Sequence, residues 1–251
     1  MRAADAPPPY AGVVFDCDST LCAVEGIEEL ARLAGRHVAE LEELTARAMD
    51  GELRLEQVYG RRLELVQPTE EEVAEVGRRY RESLLPGARD LVRALHFLGK
   101  RVLVVSGGLA PAVRDVARHL GLSEGDVHAV ELRFDAAGRY AGFDARSPLA
   151  RAGGKLDVLR ALAAQAAGPL ALVGDGATDL EAAPEADRFV AFGGVERRPR
   201  VLEAARVRCL EPDFRSLAPL LLSVEEIATL ARSTEHRALL QAPKSFTPPT
   251  A

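Results

Sequence analysis

Four short runs of apolar residues without polar alternation mark the chain, at residues 12–15, 102–105, 170–173 and 189–192. Such runs are typical of strands that are covered on both faces, as in a parallel sheet. Each run ends in polar or glycine-rich residues. Because ligands bind at the carboxyl edge of open parallel sheets, we expect a ligand site where these strands end.

Helical patterns alternate with these strands and fall at residues 88–98, 109–120, 154–166 and 198–205. The alternation predicts an α/β fold with a doubly wound, mainly parallel sheet. We assign residues 11–20 and 86–222 to this core.

The segment 21–85 breaks the rhythm, because it has no strand pattern. It carries amphipathic helix patterns rich in Glu, Arg and Leu, at residues 27–33, 38–49, 53–65 and 70–83. Loops at the carboxyl edge of a sheet tolerate insertions. The pattern therefore predicts a small helical cap domain, inserted after the first strand and placed over the ligand site.

The remaining segments are shorter. Alternating apolar positions from residue 130, a turn, and the apolar residues 140–143 predict a β-hairpin. A last helix is predicted over residues 224–231. The segments 1–10 and 232–251 are proline-rich, and we expect both to be disordered.

The composition narrows the class of partner. Of 251 residues, 47% are hydrophobic and 28% charged, as in an ordinary globular protein. The chain has 32 Lys and Arg against 38 Asp and Glu, and this net charge of -6 gives no reason to expect nucleic acid as a partner. No run reaches the roughly 18 apolar residues of a membrane helix, so no membrane partner is expected.

The cysteines and the start of the chain bear on its environment. Cys17, Cys22 and Cys209 lack a zinc-ligand spacing and are an odd number, so we expect reduced thiols. The start lacks the apolar core of a secretion signal, which predicts a cytoplasmic protein. A homodimer is left open.

The candidate chemistry lies at the strand ends. Asp16 and Asp18 follow the first strand; an isolated pair of this kind could equally be a solvated turn or a helix cap. Ser106, Gly107 and Gly108 follow the second strand, Lys155 follows two glycines, and Asp175 and Asp179 follow the third strand. If these groups converge at one sheet edge, they form an oxygen site for a hard cation beside a phosphate cradle. That combination suits Mg2+ and phosphoryl transfer.

The ordered motifs DxDST, SGG, Lys and GDGATD resemble those of the haloacid dehalogenase superfamily of phosphohydrolases. Further likenesses extend over about residues 11–220. They resemble the family members that hydrolyse O-phospho-L-serine in the last step of serine biosynthesis. The motifs concerned are EGIEEL from residue 25, RAM from 47, RL from 62 with VQP from 66, YAGFD from 140 and FGG from 192. The chain departs from the family at Asp50, where glycine is frequent, and beyond about residue 222.

The resemblance implies a role for each residue of the strand ends. Asp16 would be the nucleophile and Asp18 the general acid and base, with Ser106 and Lys155 as further catalytic groups. Mg2+ would be bound by the side chains of Asp16 and Asp175 and the backbone carbonyl of Asp18, and Asp179 would orient a metal-bound water. The phosphate would be held by Ser106, Gly107, Gly108, Lys155, Thr178 and Arg198, although a solvated arginine is an equal reading of Arg198.

The resemblance also assigns substrate recognition to the cap. Glu25 would bind the substrate ammonium, Arg62 the carboxylate and Met49 would add an apolar wall; without the resemblance each is an ordinary surface helix residue. Glu25 and Arg62 together favour an amino-acid phosphate. The alternatives are a phosphatase or phosphotransferase for another small phosphomonoester, and a non-catalytic phosphoserine-binding regulator. The intact acidic and lysine motifs argue against the regulator.

Overall fold

The computed structural model describes residues 8–49 and 52–241. Its strands are β1 (Gly12–Phe15), β2 (Arg101–Leu109), β3 (Val127–Val130), β4 (Leu132–Phe134), β5 (Tyr140–Phe143), β6 (Leu170–Gly174), β7 (Arg188–Phe192) and β8 (Val207–Cys209). Six of them form a parallel sheet in the order β3-β2-β1-β6-β7-β8. The predicted α/β fold with a mainly parallel sheet is confirmed.

The helices of the described residues are α1 (Gly26–Ala34), α2 (Val38–Met49), α3 (Leu55–Val66), α4 (Glu70–Glu82), α5 (Ala88–Phe97), α6 (Ala110–His119), α7 (Gly154–Gln165), α8 (Ala177–Ala182), α9 (Pro199–Ala204), α10 (Ala218–Leu221) and α11 (Val224–Arg232). None of these helices has the length and apolar character needed to cross a membrane.

Strand β1 lies at the centre of the sheet. Its residues Val13, Val14 and Phe15 are completely buried, since β2 and β6 pair with it on either side. The backbone N–H of Asp16 continues the pairing with a hydrogen bond to the carbonyl of Val173. The first acidic residue therefore leaves the sheet from its most rigid position.

Two details of the sheet differ from prediction. The second strand is longer than its predicted run of residues 102–105: residues 106–108 continue β2, whose register to β3 shifts between Val105 and Leu109, and α6 begins at Ala110. The hairpin exists as the antiparallel pair β4 and β5, but Val130 belongs to β3 of the main sheet.

Helices α1 to α4 follow β1, at the place of the predicted insertion. The chain segments on either side of them pair with each other: Ala23 N–H donates to the Ser83 carbonyl at 3.0 Å, and Leu85 N–H to the Leu21 carbonyl at 3.0 Å. Helix α4 begins at a capping box of Thr69 and Glu72. The four helices thus leave and rejoin the core at one point.

The carboxyl-terminal segment is folded as far as residue 241, so the prediction of disorder from residue 232 is wrong for residues 232–241. Leu239 is buried, and the ring of His236 packs on that of Phe97 at 4.6 Å. Tyr10, within the other segment expected to be disordered, is buried as well. The apolar contacts of Tyr10 and Leu239 stabilise an ordered structure in these segments despite their proline-rich composition. Residues 1–7 and 242–251 lie outside the described residues.

Candidate active site

The carboxyl ends of β1, β2 and β6 and the start of α7 meet at one cavity. Its lining includes nearly all of the sequence-predicted residues of the strand ends, together with groups from α1, α2 and α3; these are Asp16, Asp18, Glu25, Gly26, Ile27, Thr45, Tyr59, Arg62, Ser106, Gly107, Gly108, Leu149, Arg151, Lys155, Asp175 and Thr178. Residues up to 162 positions apart in sequence, from Asp16 to Thr178, are brought together as predicted.

Asp16 and Lys155 form the centre of the site. Oδ1 of Asp16 accepts hydrogen bonds from the Cys17 backbone at 2.7 Å and from Nζ of Lys155 at 3.1 Å. Lys155 Nζ also donates to Oδ1 of Asp179 at 2.7 Å. Burial alone would lower the pKa of Lys155, but the carboxylates of Asp16 and Asp179 raise it above its ordinary value, so the amine stays charged.

A glycine places the lysine. A Cβ on Gly154 would lie 1.5 Å from the carbonyl oxygen of Pro148, a distance that no side chain can occupy. The start of α7 therefore packs directly on the segment Pro148–Ala150, and Lys155 enters the site from there.

The carboxylates of Asp16, Asp175 and Asp179 form an acidic cluster. One oxygen of each lies within 4.8 Å of the others, and all three residues are buried. Burial first, and then the charge of Asp16, raises the pKa of Asp175 to about 6 and that of Asp179 to about 8. A buried all-oxygen set with unfavourable excess negative charge is suited to a hard cation.

Neighbouring groups hold two of these carboxylates in place. Asp175 accepts from the hydroxyl of Thr20 at 2.9 Å and from Nε of Arg198 at 3.0 Å. Asp179 accepts from the backbone N–H of Gly176 at 3.0 Å, at the beginning of α8.

Asp18 occupies a different part of the cavity. Its Oδ1 accepts from the Gly26 backbone at 2.7 Å and from the Tyr80 hydroxyl at 2.5 Å, and its Oδ2 lies 3.3 Å from Oγ of Ser106. Burial, and then the charge of Asp16, raises the pKa of Asp18 above its ordinary value. A raised pKa allows a carboxyl to carry a proton nearer to neutral pH.

The last residues of β2 lie beside Asp18. Oγ of Ser106, which is fully buried, accepts from the backbone N–H of Gly108 at 2.9 Å. A side chain on Gly108 would place its Cβ 2.7 Å from Oδ2 of Asp18, so this residue must be small. Ser106 and Gly107 line the cavity beside Thr178.

Glu25 and Arg198 form a pair at the rim. Oε1 of Glu25 accepts from Oγ of Ser19 at 2.7 Å and from Nη2 of Arg198 at 3.3 Å. Burial, and then the charge of Asp18, raises the pKa of Glu25 well above its ordinary value. Because Arg198 is only 6% exposed, the alternative of a solvated arginine is wrong.

Arg62 is a buried cation whose partners are few. It is 4% exposed; its Nη1 donates to the Thr45 hydroxyl at 2.9 Å, and its guanidinium lies 5.7 Å from the ring centre of Tyr59. Its Nε and the Tyr59 hydroxyl have no hydrogen-bond partner among the described residues. Burial lowers the pKa of Arg62. Unpaired buried groups of this kind favour an anionic ligand.

One predicted contact and one departure from the family pattern lie where the structure gives no description. The side chain of Met49 and the whole of Asp50 lie outside the described residues. Conversely, sequence analysis missed Thr20, Thr45, Tyr59 and Tyr80, which touch site residues. Helical spacing offered a partial signal for Tyr59, which lies three residues before Arg62 and so on the same helix face.

The fold agrees with comparisons to known proteins. The sequence of residues 13–184 matches the haloacid dehalogenase-like hydrolase family, and the chain belongs to this family. Its relatives include phosphoserine phosphatase from Mus musculus, which is 40% identical over 195 residues covering 77% of this chain and 86% of that protein. The phosphoserine phosphatase from Arabidopsis thaliana chloroplasts is 38% identical over 82% of this chain and 70% of its own length. A solved phosphoserine phosphatase structure with bound substrate superposes with a TM-score of 0.75 at 28% identity, over 85% of this chain and 99% of that one.

Proposed function

We propose that this protein is a phosphoserine phosphatase, which hydrolyses O-phospho-L-serine to L-serine and phosphate with Mg2+ as cofactor. The observation that carries the proposal is one cavity lined by three charged centres: the carboxyl group of Glu25, the guanidinium of Arg62, whose Nε has no partner among the described residues, and the pair of Asp16 and Lys155. O-Phosphoserine has an ammonium, a carboxylate and a phosphate to match them. The 40% identity to phosphoserine phosphatase from Mus musculus supports the same conclusion.

Arg62 is assigned to the substrate carboxylate. Among the described residues its Nε has no hydrogen-bond partner, so a carboxylate entering the cavity here would supply one. The hydroxyl of Tyr59, another lining residue, has no partner there either. Glu25 is assigned to the ammonium, which would add a second positive neighbour, besides Arg198, to a carboxylate that burial disfavours. Met49 is assigned to the apolar wall of the substrate pocket, as the resemblance implies.

Asp16 is assigned as the nucleophile. Its Oδ1 is held by Lys155 and by the Cys17 backbone, which leaves Oδ2 as the attacking oxygen. In the first step an Oδ2–P bond forms and the bond from phosphorus to the seryl oxygen breaks. The electron pair of that bond goes to the seryl oxygen, which takes a proton from Asp18.

The second step hydrolyses the aspartyl phosphate. Asp18, now a carboxylate, accepts a proton from the water whose oxygen attacks phosphorus, and Asp16 leaves as a carboxylate. Ser106, the amides of Gly107 and Gly108, Thr178 and Lys155 are assigned to the phosphoryl oxygens, with the charge of Lys155 opposing the negative charge that develops there.

The acidic cluster is assigned to Mg2+. The side chains of Asp16 and Asp175 and the backbone carbonyl of Asp18 would hold the ion, and Asp179 would orient a ligand water. The bound cation supplies neutralisation of phosphate charge. Arg198, which was predicted near the phosphate, donates to Asp175 and Glu25 and is assigned to hold these two carboxylates beside the phosphate site.

A panel of three substrates tests the proposal. The kcat/KM for phosphoserine should exceed those for phosphoethanolamine and phospholactate by about 10^2-fold or more. Phosphoethanolamine lacks the carboxylate and phospholactate lacks the ammonium, so each of these two substrates leaves a buried charged residue unpaired. Turnover should require Mg2+ and stop in EDTA. Arg62→Ala should remove the discrimination against phosphoethanolamine, whereas Arg61→Ala, at an exposed arginine beside it, should leave it intact.

Equal rates for all three substrates would exclude the assigned specificity. Equal turnover in EDTA and in Mg2+ would exclude the assigned cofactor. Glu25→Gln should remove the discrimination against phospholactate. Glu43→Gln, at an exposed glutamate, is its control and should leave that discrimination intact.

A further inference from the structure

The two oxygens of the Asp18 carboxylate have different surroundings. Oδ1 accepts two hydrogen bonds, from the Gly26 backbone at 2.7 Å and from the Tyr80 hydroxyl at 2.5 Å. Oδ2 accepts one longer hydrogen bond, from the Ser106 hydroxyl at 3.3 Å, and a Cβ on Gly108 would lie 2.7 Å from it. An oxygen that accepts two hydrogen bonds is a poor place for the acidic proton, so a protonated Asp18 should carry it on Oδ2.

Tyr80 lies on an inserted helix that packs on a helix of the core. Its helix, α4, packs closely on α6: a Cβ on Gly77 would lie 3.1 Å from Cβ of Asp115 and 3.4 Å from Cα of Ala112. Arg81 forms an ion pair with Asp115. The ring of Tyr80 is fully buried. Its hydroxyl therefore holds a set position relative to the sheet from which Asp18 extends.

Gly26 leaves space for this hydroxyl. A Cβ on Gly26 would lie 2.2 Å from the hydroxyl oxygen of Tyr80 and 3.1 Å from its Cζ. The Tyr80 hydroxyl thus occupies the space that a side chain at residue 26 would fill. As a result, the Gly26 amide and the Tyr80 hydroxyl can both donate to the same oxygen of Asp18.

We propose that Tyr80 is a positioning residue for proton transfer, whose hydroxyl anchors Oδ1 of Asp18 so that Oδ2 delivers the proton to the leaving alkoxide. This inference rests on the proposed function, which assigns Asp18 as the general acid. Tyr80 itself touches no reacting atom. Its effect should therefore appear only where the leaving group needs a proton.

The test compares two phosphoryl donors in kcat/KM, a parameter that covers steps up to departure of the first leaving group. Phosphoserine releases an alkoxide that must be protonated, whereas acetyl phosphate releases acetate, which leaves as an anion. Tyr80→Phe should lower kcat/KM for phosphoserine by about 10- to 100-fold, the usual effect of losing a residue that orients a reacting group, and lower it for acetyl phosphate by less than about threefold.

A second substitution checks the geometry. Gly26→Ala should reproduce the selective loss on phosphoserine, because its Cβ displaces the Tyr80 hydroxyl. In the Tyr80→Phe background the same change should cost less than in the parent, since the hydroxyl at 2.2 Å is absent and the looser contacts to Cζ of residue 80 at 3.1 Å and to Oδ1 of Asp18 at 3.3 Å remain. Such non-additivity marks two residues that act on one contact. Tyr10→Phe, at a buried tyrosine before β1, is the control and should leave both donors unaffected.

Three results would overturn the inference: equal losses on both donors, no loss on phosphoserine, or additive effects of Gly26→Ala and Tyr80→Phe. If the parent enzyme hydrolyses phosphoethanolamine rather than phosphoserine, the proposed substrate is wrong. The comparison with acetyl phosphate then uses phosphoethanolamine, which also releases an alkoxide, so the two failures are distinct.

Discussion

Arg198 and Glu25 are hydrogen-bonded from Nη2 to Oε1 at 3.3 Å, although 173 residues separate them. The same guanidinium donates from Nε to Asp175 at 3.0 Å. One buried arginine therefore connects Glu25 with a residue of the acidic cluster. Under the proposed function, the groups that bind the substrate ammonium and the metal ion would share this neighbour.

Arg198→Gln should lower kcat/KM for phosphoserine by about 10- to 100-fold, because it leaves two buried carboxylates without their cation. Arg198→Lys should rescue only a small part of the loss, since an ammonium cannot reproduce the forked contact to both Glu25 and Asp175. Steady-state kinetics over a range of Mg2+ concentrations measures both effects. Full activity of the lysine variant would show that charge alone suffices.

Asp16→Asn should abolish turnover while the protein stays folded. The amide retains the size of the side chain but is a far poorer nucleophile, and we expect a loss of about 10^4-fold or more in kcat. Phosphate release and circular dichroism are the two measurements, with the exposed Asp90→Asn as the matched control. If the kcat of the variant is within roughly tenfold of the parent value, Asp16 is not the nucleophile.

The acidic cluster should make the metal-free protein less stable as pH rises. The ordinary pKa of 3.8 of Asp179 is raised to about 8 in the folded state, and that of Asp175 to about 6. In this pH window the folded state retains protons that the unfolded chain has released, so a rise in pH favours unfolding. Above about pH 8 the effect is complete, and below about pH 4 it is absent.

Urea denaturation in EDTA measures this dependence. The free energy of unfolding of Asp179→Asn minus that of the parent should grow as pH rises from about 5 to about 8. Excess Mg2+ should stabilise the parent most at the high end of this range, because cation binding and protonation compete. A difference that stays constant with pH in EDTA contradicts the expectation.

The close packing of α4 on α6 should be sensitive to added volume. Gly77→Val should destabilise the fold by about 1–3 kcal/mol, because even a Cβ at this position lies 3.0 Å from Oδ2 of Asp115 and 3.1 Å from its Cβ. Gly125→Val is the control, since nothing lies within 4 Å of a Cβ there. Thermal denaturation of both variants provides the comparison; equal shifts would mean that α4 can move away from α6.

The sequence predicted the central strands but not the edge strands, for a physical reason. Strands β1, β2, β6 and β7 contain uninterrupted apolar runs, because neighbours on both sides and layers on both faces bury them. At the sheet edges, β3 includes His128 and β8 includes Arg208, and β8 is only three residues long. Short strands with polar residues produce no apolar run to recognise.

The same distinction applies to the site. Asp16 and Asp175 directly follow strands, and Ser106 directly follows the apolar run of β2, so their spacing along the chain indicates their position. Tyr80 meets Asp18 across 62 residues through the packing of α4, and nothing in an amphipathic helix pattern says which buried residue will meet which carboxylate. The choice between a solvated and a buried Arg198 likewise depended on tertiary structure.

The backbone pairing of the two segments that flank α1 to α4 makes the insertion a closed loop whose ends meet beside Cys22 and Leu84. An insertion of different length or shape could be joined at this point without disturbing the register of the sheet. Substrate choice could then diverge in descendants of this fold while the phosphoryl chemistry at the strand ends stayed the same. Under the proposed role of Tyr80, any such replacement must still bring a donor to Oδ1 of Asp18, and that requirement limits which insertions could succeed.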